Sequence, residues 1–496
     1  MKTNSLDFDA QALREKILDL AMRGKLVPQD PNDESASVLL EKIKAEKAEL
    51  IKEKKIKKTK PLPPITDDEK PFDIPDSWEW VRLGDVGNWA AGATPSRKHP
   101  EYYGGNIPWL KTGDLNDDVV EDTTEKITKL GVENSSVKIN KPGNVLIAMY
   151  GATIGKLGIV GNKELVTNQA CCGCTPFNGV YNWYLFYYLF ASRKRLIDLG
   201  SGGAQPNISK QKIENFSFPL PPLSEQSRIA AKIAQLFALL RKVESSTQQY
   251  AKLQTLLKSK VLDLAMRGKL VKQDPNDEPA SELLKKIKAE KAELIKEKKI
   301  KKTKPLPPIT DDEKPFDIPD SWEWVRLGDL TAPVEYAMAD GPFGSNLKKT
   351  DYTLDPEVRI IQLSNIGENG WKDQNVKYTT FEHLKSIQRS EVFPGNIVIA
   401  KMMPAGRAII VPNKDKKYVL SSDAVKFIPD THIYKDFLIY AINSNTYRDQ
   451  VNEKLQGTTR PRTSLKKLKN FLIPLPPFDE QKRIVTKTFD LFNMIG

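Results

Sequence analysis

The sequence predicts an α+β chain: two mixed α/β modules separated by long antiparallel helices, in a pseudo-twofold, circular arrangement. Three observations predict it: a long internal repeat, a heptad seam, and two inserts of short strand-like runs held between the repeats. The repeat is a near-perfect duplication. Lys42 to Asp85 recurs without a change as Lys286 to Asp329, with Trp78 returning as Trp322. Upstream, LDLAMRGKLV at Leu18 to Val27 reappears at Leu262 to Val271. A closing motif, FPLPPLSEQ at Phe218 to Gln226, returns as IPLPPFDEQ at Ile473 to Gln481. The stretches between these landmarks, 78–217 and 322–472, are largely unlike each other. A constant part therefore alternates with a variable part, twice.

The constant part is helical. Ile229, Ile233, Leu236, Leu240, Val243, Thr247, Tyr250, Gln254, Leu257, Val261 and Leu264 follow at alternating steps of four and three. This is an a/d seam in which only Thr247 and Gln254 are polar. At 1.5 Å per residue such a helix is ~50 Å long. Its second copy is divided between the termini. Aligning Ile484 with Ile229 carries the C-terminus to Ile495, the counterpart of Leu240, and aligning Leu18 with Leu262 sets Met1 opposite Ser245. The two terminal segments are therefore expected to pack together as a mate to the central helix. Five segments follow: 1–77 and 223–321 helical with a linker, 78–222 and 322–477 modular, and 478–496 a closing helix. A charged second helix is expected at Ala36 to Lys58 and at Ala280 to Lys302. After each comes KPLPPITDDEKPFDIPDSW, where the density of proline bars helix and stiffens an extended connector.

Each insert has β-branched and aromatic runs punctuated by Gly, Pro and Asn. In the first, Val145 to Tyr150 and Leu157 to Val160 read as strands and Asn182 to Leu199 as a helix. In the second, Arg359 to Leu363, Ile397 to Ala400 and Ala408 to Val411 read as strands, with Tyr434 to Leu455 helical.

Composition narrows the class. A hydrophobic share of 39% in 496 residues suits several small cores joined by solvated helices rather than one large core. The net charge of +12 fits a polyanionic partner through counterion release; lysine-rich exposed helices are the other source of such a total. The three cysteines stand together at Cys171, Cys172 and Cys174, which is no disulfide framework and points to a reducing compartment. With His99, His383 and His432 at no ligand spacing from them, they read as small apolar side chains in a buried strand, not a zinc site. The most apolar stretch, Tyr181 to Phe190, is far shorter than the ~20 residues that cross a bilayer and reads as a buried aromatic helix. No signal peptide opens the chain, and a soluble, cytoplasmic protein is expected.

Many motifs then agree at once. The first insert carries TPSRKHPEYYGGNIPWLKTGDL at Thr94 to Leu115, MYGATIGK at Met149 to Lys156, TNQACC at Thr167 to Cys172, and GAQPNISKQKIENF at Gly203 to Phe216. The second carries GPFGSNL at Gly341 to Leu347, IIQLSNI at Ile360 to Ile366, PGNIVIAKMM at Pro394 to Met403, and GTTRPRTSLKKLKNF at Gly457 to Phe471. With the PLPP-x-x-EQ closures, these resemble the target-recognition domains of type I restriction–modification specificity subunits, over essentially the whole chain. The resemblance implies a non-catalytic subunit of a DNA methylation and restriction system, reading a bipartite, asymmetric site in double-stranded DNA with one module per half. The helices serve as spacer and as docking surface for two modification (methyltransferase) subunits, with restriction (motor-nuclease) subunits joining later. The resemblance implies no cofactor in this chain: S-adenosylmethionine belongs to the methyltransferase partners, ATP and Mg to the motor partners.

The chemistry of the motifs suits base reading, which needs amide and guanidinium forks on loops, with Lys and Arg on phosphates. In the first insert the candidates are Thr94, Ser96, Arg97, Lys98, Tyr102, Lys111, Thr112, Tyr150, Thr153, Lys156, Asn168, Gln169, Gln205 and Asn207. In the second they are Ser345, Asn346, Lys348, Gln362, Ser364, Asn365, Lys401, Arg407, Ser422, Asp423, Thr459, Arg460 and Arg462. Counting from Pro206 and Pro461, Gln205 and Asn207 align with Arg460 and Arg462; amides suit adenine and guanidinium suits guanine. Ser421, Ser422 and Asp423 align loosely with Thr167, Asn168 and Gln169. Tyr150 and Lys156 flank a Gly-rich turn, as do Lys401 and Arg407. GATIGK lacks P-loop spacing, so the turn is either a backbone approach to DNA or a plain hairpin.

Two other classes stand as alternatives. A fused methyltransferase or nuclease would need an acidic-or-Asn–Pro–Pro–aromatic loop, a Gly-rich cofactor turn, or clustered carboxylates for a metal, none of which the sequence displays. A pure coiled-coil assembly scaffold accounts for the seam but not for the inserts that bracket it.

Overall fold

The computed structural model describes residues 9–200, 206–302, 304–343, 345–457 and 461–496. The chain divides into two compact units, one ending at Thr247 and the other running from Gln248 to Gly496. The boundary falls inside one helix, Leu223–Met266, which is the continuous rod that the heptad seam predicts.

In each unit the insert is pinched at its base by a two-stranded antiparallel neck. Glu79–Arg82 pairs with Ser217–Leu220 in the first, and Glu323–Arg326 with Leu472–Leu475 in the second. Beyond the neck, the two inserts repeat one topology although their sequences differ. The first sheet runs in the order Gly87–Ala91, Cys171–Pro176, Val145–Ala148, Leu157–Val160, with Asp118–Val120 added in parallel at the edge. Its counterpart runs Met338–Asp340, Ala424–Phe427, Ile397–Ala400, Ala408–Ile410. A second sheet runs Glu125–Ile127, Tyr103–Leu110, Leu165–Thr167, Ile139–Asn140 in one insert. In the other it runs Tyr378–Thr379, Val358–Ile361, Tyr418–Leu420, Glu391–Val392. In both, the two inner strands are parallel and the outer pairs antiparallel.

These strands form because their β-branched runs are apolar on both faces, as a sheet covered on both sides demands. Val145–Ala148 and Ile397–Ala400 are buried at every position. One face meets the second sheet, through Leu110, Leu146, Val160 and Leu165 in the first insert and Ile361, Val398, Ile409 and Leu420 in the other. The opposite face meets the aromatic helix and the scaffold in one continuous core, which holds Leu18, Leu39, Trp78, Val145, Tyr184, Phe218 and Ile233 together. The three cysteines are fully buried in Cys171–Pro176 and alternate between these faces. Burial raises the Cys172 thiol to about 12, so they behave as the small apolar side chains that the sequence suggests.

Each insert is locked to its scaffold by the same contacts. At the start of Leu223–Met266, Glu225 accepts hydrogen bonds from the Trp78 indole N–H at 2.9 Å and from the Gln29 amide. In the second unit Glu480 accepts from Trp322 at 2.9 Å and from Gln273 at 2.6 Å. Burial raises the pKa of both carboxylates, and the two donors partly offset it. The following glutamine reaches the other way: Gln226 accepts the Tyr181 N–H at the mouth of the aromatic helix, as Gln481 accepts that of Tyr434. The extended connector is fastened by a buried arginine. Arg82 donates to the carbonyls of Pro63 and Pro64 and pairs with Glu69 at 2.7 Å, and Arg326 repeats this on Pro307, Pro308 and Glu313.

Several expectations are corrected. The charged helices end at Lys52 and Lys296, six residues early, because Lys54 and Lys298 take a left-handed conformation (φ 59° and 61°). The next amides then turn back to Leu50 and Leu294 in a Schellman closure. The helix read over 182–199 is broken at Ser192 into Asn182–Ala191 and Arg193–Gly200. That read over 434–455 is broken at extended Ser444 into Lys435–Asn443 and Asn445–Glu453. The seam is not buried throughout. Ile229, Ile233 and Leu240 are buried and Leu236, Val261 and Leu264 half-buried, but Val243, Tyr250 and Leu257 are 44%, 61% and 52% exposed. Within its own unit each terminal helix touches the rod: Arg14 pairs with Glu244, and Gln254 donates to the Ile495 carbonyl at 2.7 Å.

Trp78→Phe and Trp322→Phe each leave a buried carboxylate short of a donor. Each is expected to cost about 1–3 kcal/mol in urea unfolding, and a variant as stable as the parent would contradict the lock. The Arg82 guanidinium holds the Glu69 carboxyl at about 2 against an ordinary 4.5. Its contribution is therefore present above pH 4.5 and is lost as pH falls from 4.5 towards 2. Glu69→Gln should flatten the melting temperature over that window; an unchanged acid limb would refute the assignment.

Candidate nucleic-acid interface

The motifs that are scattered along each insert converge at one edge of its sheets. In the first insert, Gly92 donates its backbone N–H to Cys171 at 3.0 Å, Asn168 to Leu110 at 2.9 Å, Met149 to Ala170 at 2.8 Å and Ile208 to Met149 at 2.8 Å. The same four bonds recur in the second, as Gly341 to Ala424, Ser421 to Ile361, Lys401 to Asp423 and Thr463 to Lys401. A backbone bridge joins Tyr150 to Asn207 and, at the matching place, Met402 to Arg462. The loop frame is thus one object built twice.

The frame makes a residue-by-residue comparison possible. Asn207 and Arg462 occupy the same position, and both are exposed. Lys111 matches Gln362, because each precedes a short turn capped by a side chain three residues on. Asp114 accepts the Lys111 N–H and Asn365 that of Gln362, both at 2.9 Å. Lys156 matches Arg407, since their carbonyls accept from Ala148 and Ala400. The loose alignment of 421–423 needs correction by one residue: the hydrogen bonds pair Ser421 with Asn168, Ser422 with Gln169 and Asp423 with Ala170.

A family model described as "Type I restriction modification DNA specificity domain" matches residues 75–254 and 319–495, taking in both loop frames and both necks. The chain belongs to this family. The Escherichia coli type I restriction enzyme EcoAI specificity subunit is 34% identical over 98% of this chain and 89% of its own length. The EcoEI specificity subunit of the same organism is 30% identical over 98% and 90%. The fold resembles a solved chain from a study of assembly and conformational transition of the type I R-M system (TM-score 0.56, 20% identity, 86% of this chain and 92% of that one). It also resembles the HsdS subunit from Thermoanaerobacter tengcongensis (TM-score 0.50, 18% identity, with the same coverage). The protein is a DNA specificity subunit rather than the catalytic part of its system.

Within this specificity subunit the candidate side chains fall into three groups. Some are already engaged. Arg97 and Lys111 both pair with Glu125, at 2.8 and 2.7 Å, and hold its carboxyl below the usual range; Arg97 also lies 4.2 Å over the Tyr103 ring. Lys401 pairs with Asp340 and Arg407 with Glu368, both at 2.7 Å. Thr94 donates to Gln169, and Ser345 and Ser422 to their neighbours Asn346 and Asp423. Others are exposed or half-exposed: Ser96, Tyr102, Thr112, Tyr150, Thr153, Asn168 and Asn207. Lys98, Lys156, Lys348 and Arg462 share that exposure and form no ion pair among the described residues. The third group lies inside. Asn365 is fully buried, its amide spent on the carbonyls of Lys372 and Gln374, so it shapes the loop and is not offered outward. Ser364 is half-buried, and its buried hydroxyl has no hydrogen-bond partner among the described residues. Gln205, Thr459 and Arg460 lie outside the described residues. The Gly-rich turn is a β-hairpin that joins two sheet strands and also borders the frame.

Glu125 and Glu368 were not legible as part of this edge; nothing in their local sequence separates them from surface residues.

Close approach sets the frame's tolerance. A Cβ on Gly92 would stand 2.1 Å from the Thr167 carbonyl oxygen, and one on Gly341 would stand 1.7 Å from that of Ser421. Gly92→Ala and Gly341→Ala are each expected to cost about 1–3 kcal/mol or more and to weaken DNA binding. Parental melting and binding in both would refute the shared frame.

Proposed function

We propose that each module reads one half of a bipartite, asymmetric site in double-stranded DNA through its loop frame. The supporting observation is that one backbone frame presents unlike side chains at equivalent places: Asn207 against Arg462, and Lys111 against Gln362. An amide pairs with adenine and a guanidinium with guanine, so two such frames read different sequences with the same geometry. Lys98, Lys156 and Lys348 take phosphates, which position without specifying. Modules 78–222 and 322–477 are the readers, and the segments 1–77, 223–321 and 478–496 the spacer.

The rod carries the partners in this reading. In the second unit, Tyr250, Leu253, Leu256 and Leu257 leave an exposed apolar stripe on Leu223–Met266, the kind of surface that a partner helix covers. Two methyltransferase subunits dock there, bringing S-adenosylmethionine, and motor-nuclease subunits bring ATP and Mg. The complex works in the cytoplasm. Among the described residues, no helix is long and apolar enough to cross a membrane.

Exchange of residues 78–217 for those of a relative with another specificity tests the reading. The expected methylation motif of the reconstituted complex changes in one half and keeps its other half and its spacer. A change in both halves, or in neither, would overturn it.

A further inference from the structure

Away from the loop frames, three side chains of the second unit, each able to offer a metal ligand, stand together. Asp430 and His432 lie in the segment between strand Ala424–Phe427 and helix Lys435–Asn443, and Glu290 comes from the scaffold helix Ala280–Lys296. One ligand atom from each lies within 4.8 Å of the other two. His432 Nδ1 is 2.9 Å from Asp430 Oδ1 and 3.6 Å from Glu290 Oε2. Donors held at ~2.0–2.2 Å on one tetrahedral ion stand roughly 3.3–3.5 Å apart, so small side-chain shifts seat an ion.

A second observation points the same way. The Asp430 side chain is 0% exposed, and its Oδ2 has no hydrogen-bond partner among the described residues. A buried carboxylate oxygen without a donor is costly, and a cation removes that cost. The ammonium of Lys291, beside Glu290, donates to the Asp329 carbonyl at 2.8 Å; it acts on Asp430 through its charge and gives Oδ2 no hydrogen bond. The first unit supplies an internal contrast. Tyr181 and Tyr434 make the same bond to Gln226 and Gln481, which sets Phe177 and Gly179 where Asp430 and His432 stand. Glu46, the copy of Glu290, there accepts the Asn178 backbone N–H at 2.8 Å instead.

We propose that Glu290, Asp430 and His432 Nδ1 bind a divalent transition metal of the zinc class, which pins the second module to its scaffold helix. An imidazole nitrogen with two carboxylates favours such an ion over Mg²⁺ or Ca²⁺, and the two carboxylates balance its charge. The ion takes the place of the proton on His432 Nδ1. Glu290 and His432 are 42% and 37% exposed, which leaves an entry path and a coordination position for water.

The test uses the full chain, stripped with a chelator and titrated with Co²⁺ or Zn²⁺ alone. One ion per chain is expected, with visible Co²⁺ absorption and a higher melting temperature on Zn²⁺ addition. His432→Ala and Glu290→Gln should each weaken binding by more than the ~10–100-fold that loss of an outer-shell partner costs. Glu46→Gln, the same change in the first unit, should leave affinity unchanged. Glu290→Gln alters a half-exposed position and carries the test if His432→Ala fails to fold. An ion that survives both variants, or a wild-type chain that takes up none and melts alike with and without metal, would overturn the proposal.

Discussion

The fold depends on a buried carboxylate at the first turn of the helix that follows each neck. Glu225 and Glu480 each take an indole N–H from the end of the proline-rich connector and an amide from the loop that precedes the charged scaffold helix. Gln226 and Gln481, one residue on, hold the start of the aromatic or apolar helix of the insert. One Glu–Gln pair thus ties together connector, neck, rod and module. Burial raises the carboxylate pKa, so the pair is better understood as setting geometry than as adding stability. Gln29, Trp78, Glu225 and Gln226 recur as Gln273, Trp322, Glu480 and Gln481, and the inserts supply only the backbone N–H of Tyr181 or Tyr434, so the lock recurs while the residues beyond the neck differ.

Beyond the lock, the two modules keep strand order and loop frame while changing most of their side chains. The interior asks only for apolar, β-branched residues of suitable volume, which many sequences satisfy. The frame asks for backbone hydrogen bonds, small residues at Gly92 and Gly341, and a cap at Asp114 or Asn365. The exposed positions on that frame are free to vary, and there Asn207 takes the backbone position that Arg462 takes in the other module. A scaffold of this kind changes what it reads without changing how it folds.

Much of the fold was legible because its signals are physical and local. Heptad steps mark the rod, continuous β-branched runs mark Val145–Ala148 and Ile397–Ala400, and exact duplication marks the scaffold. What stayed illegible depends on tertiary context. Lys54 and Lys298 end helices in a conformation that glycine usually signals, and Ser192 and Ser444 break helices whose apolar pattern runs on. A seam that faces solvent at Val243, Tyr250 and Leu257 has the same period as one that is buried. At the candidate edge, proline landmarks aligned Asn207 with Arg462. The one-residue shift at 421–423, the burial of Asn365 and the pairing of Arg97 and Lys111 with Glu125 needed the hydrogen bonds themselves.

The central claim is that one frame, built twice with different side chains, reads two different halves of one DNA site. Genome-wide mapping of methylated bases in cells that carry the intact system measures this directly. The account predicts a single motif with two unlike halves separated by a spacer of fixed length. A continuous motif, or one whose halves are identical by symmetry, would contradict it.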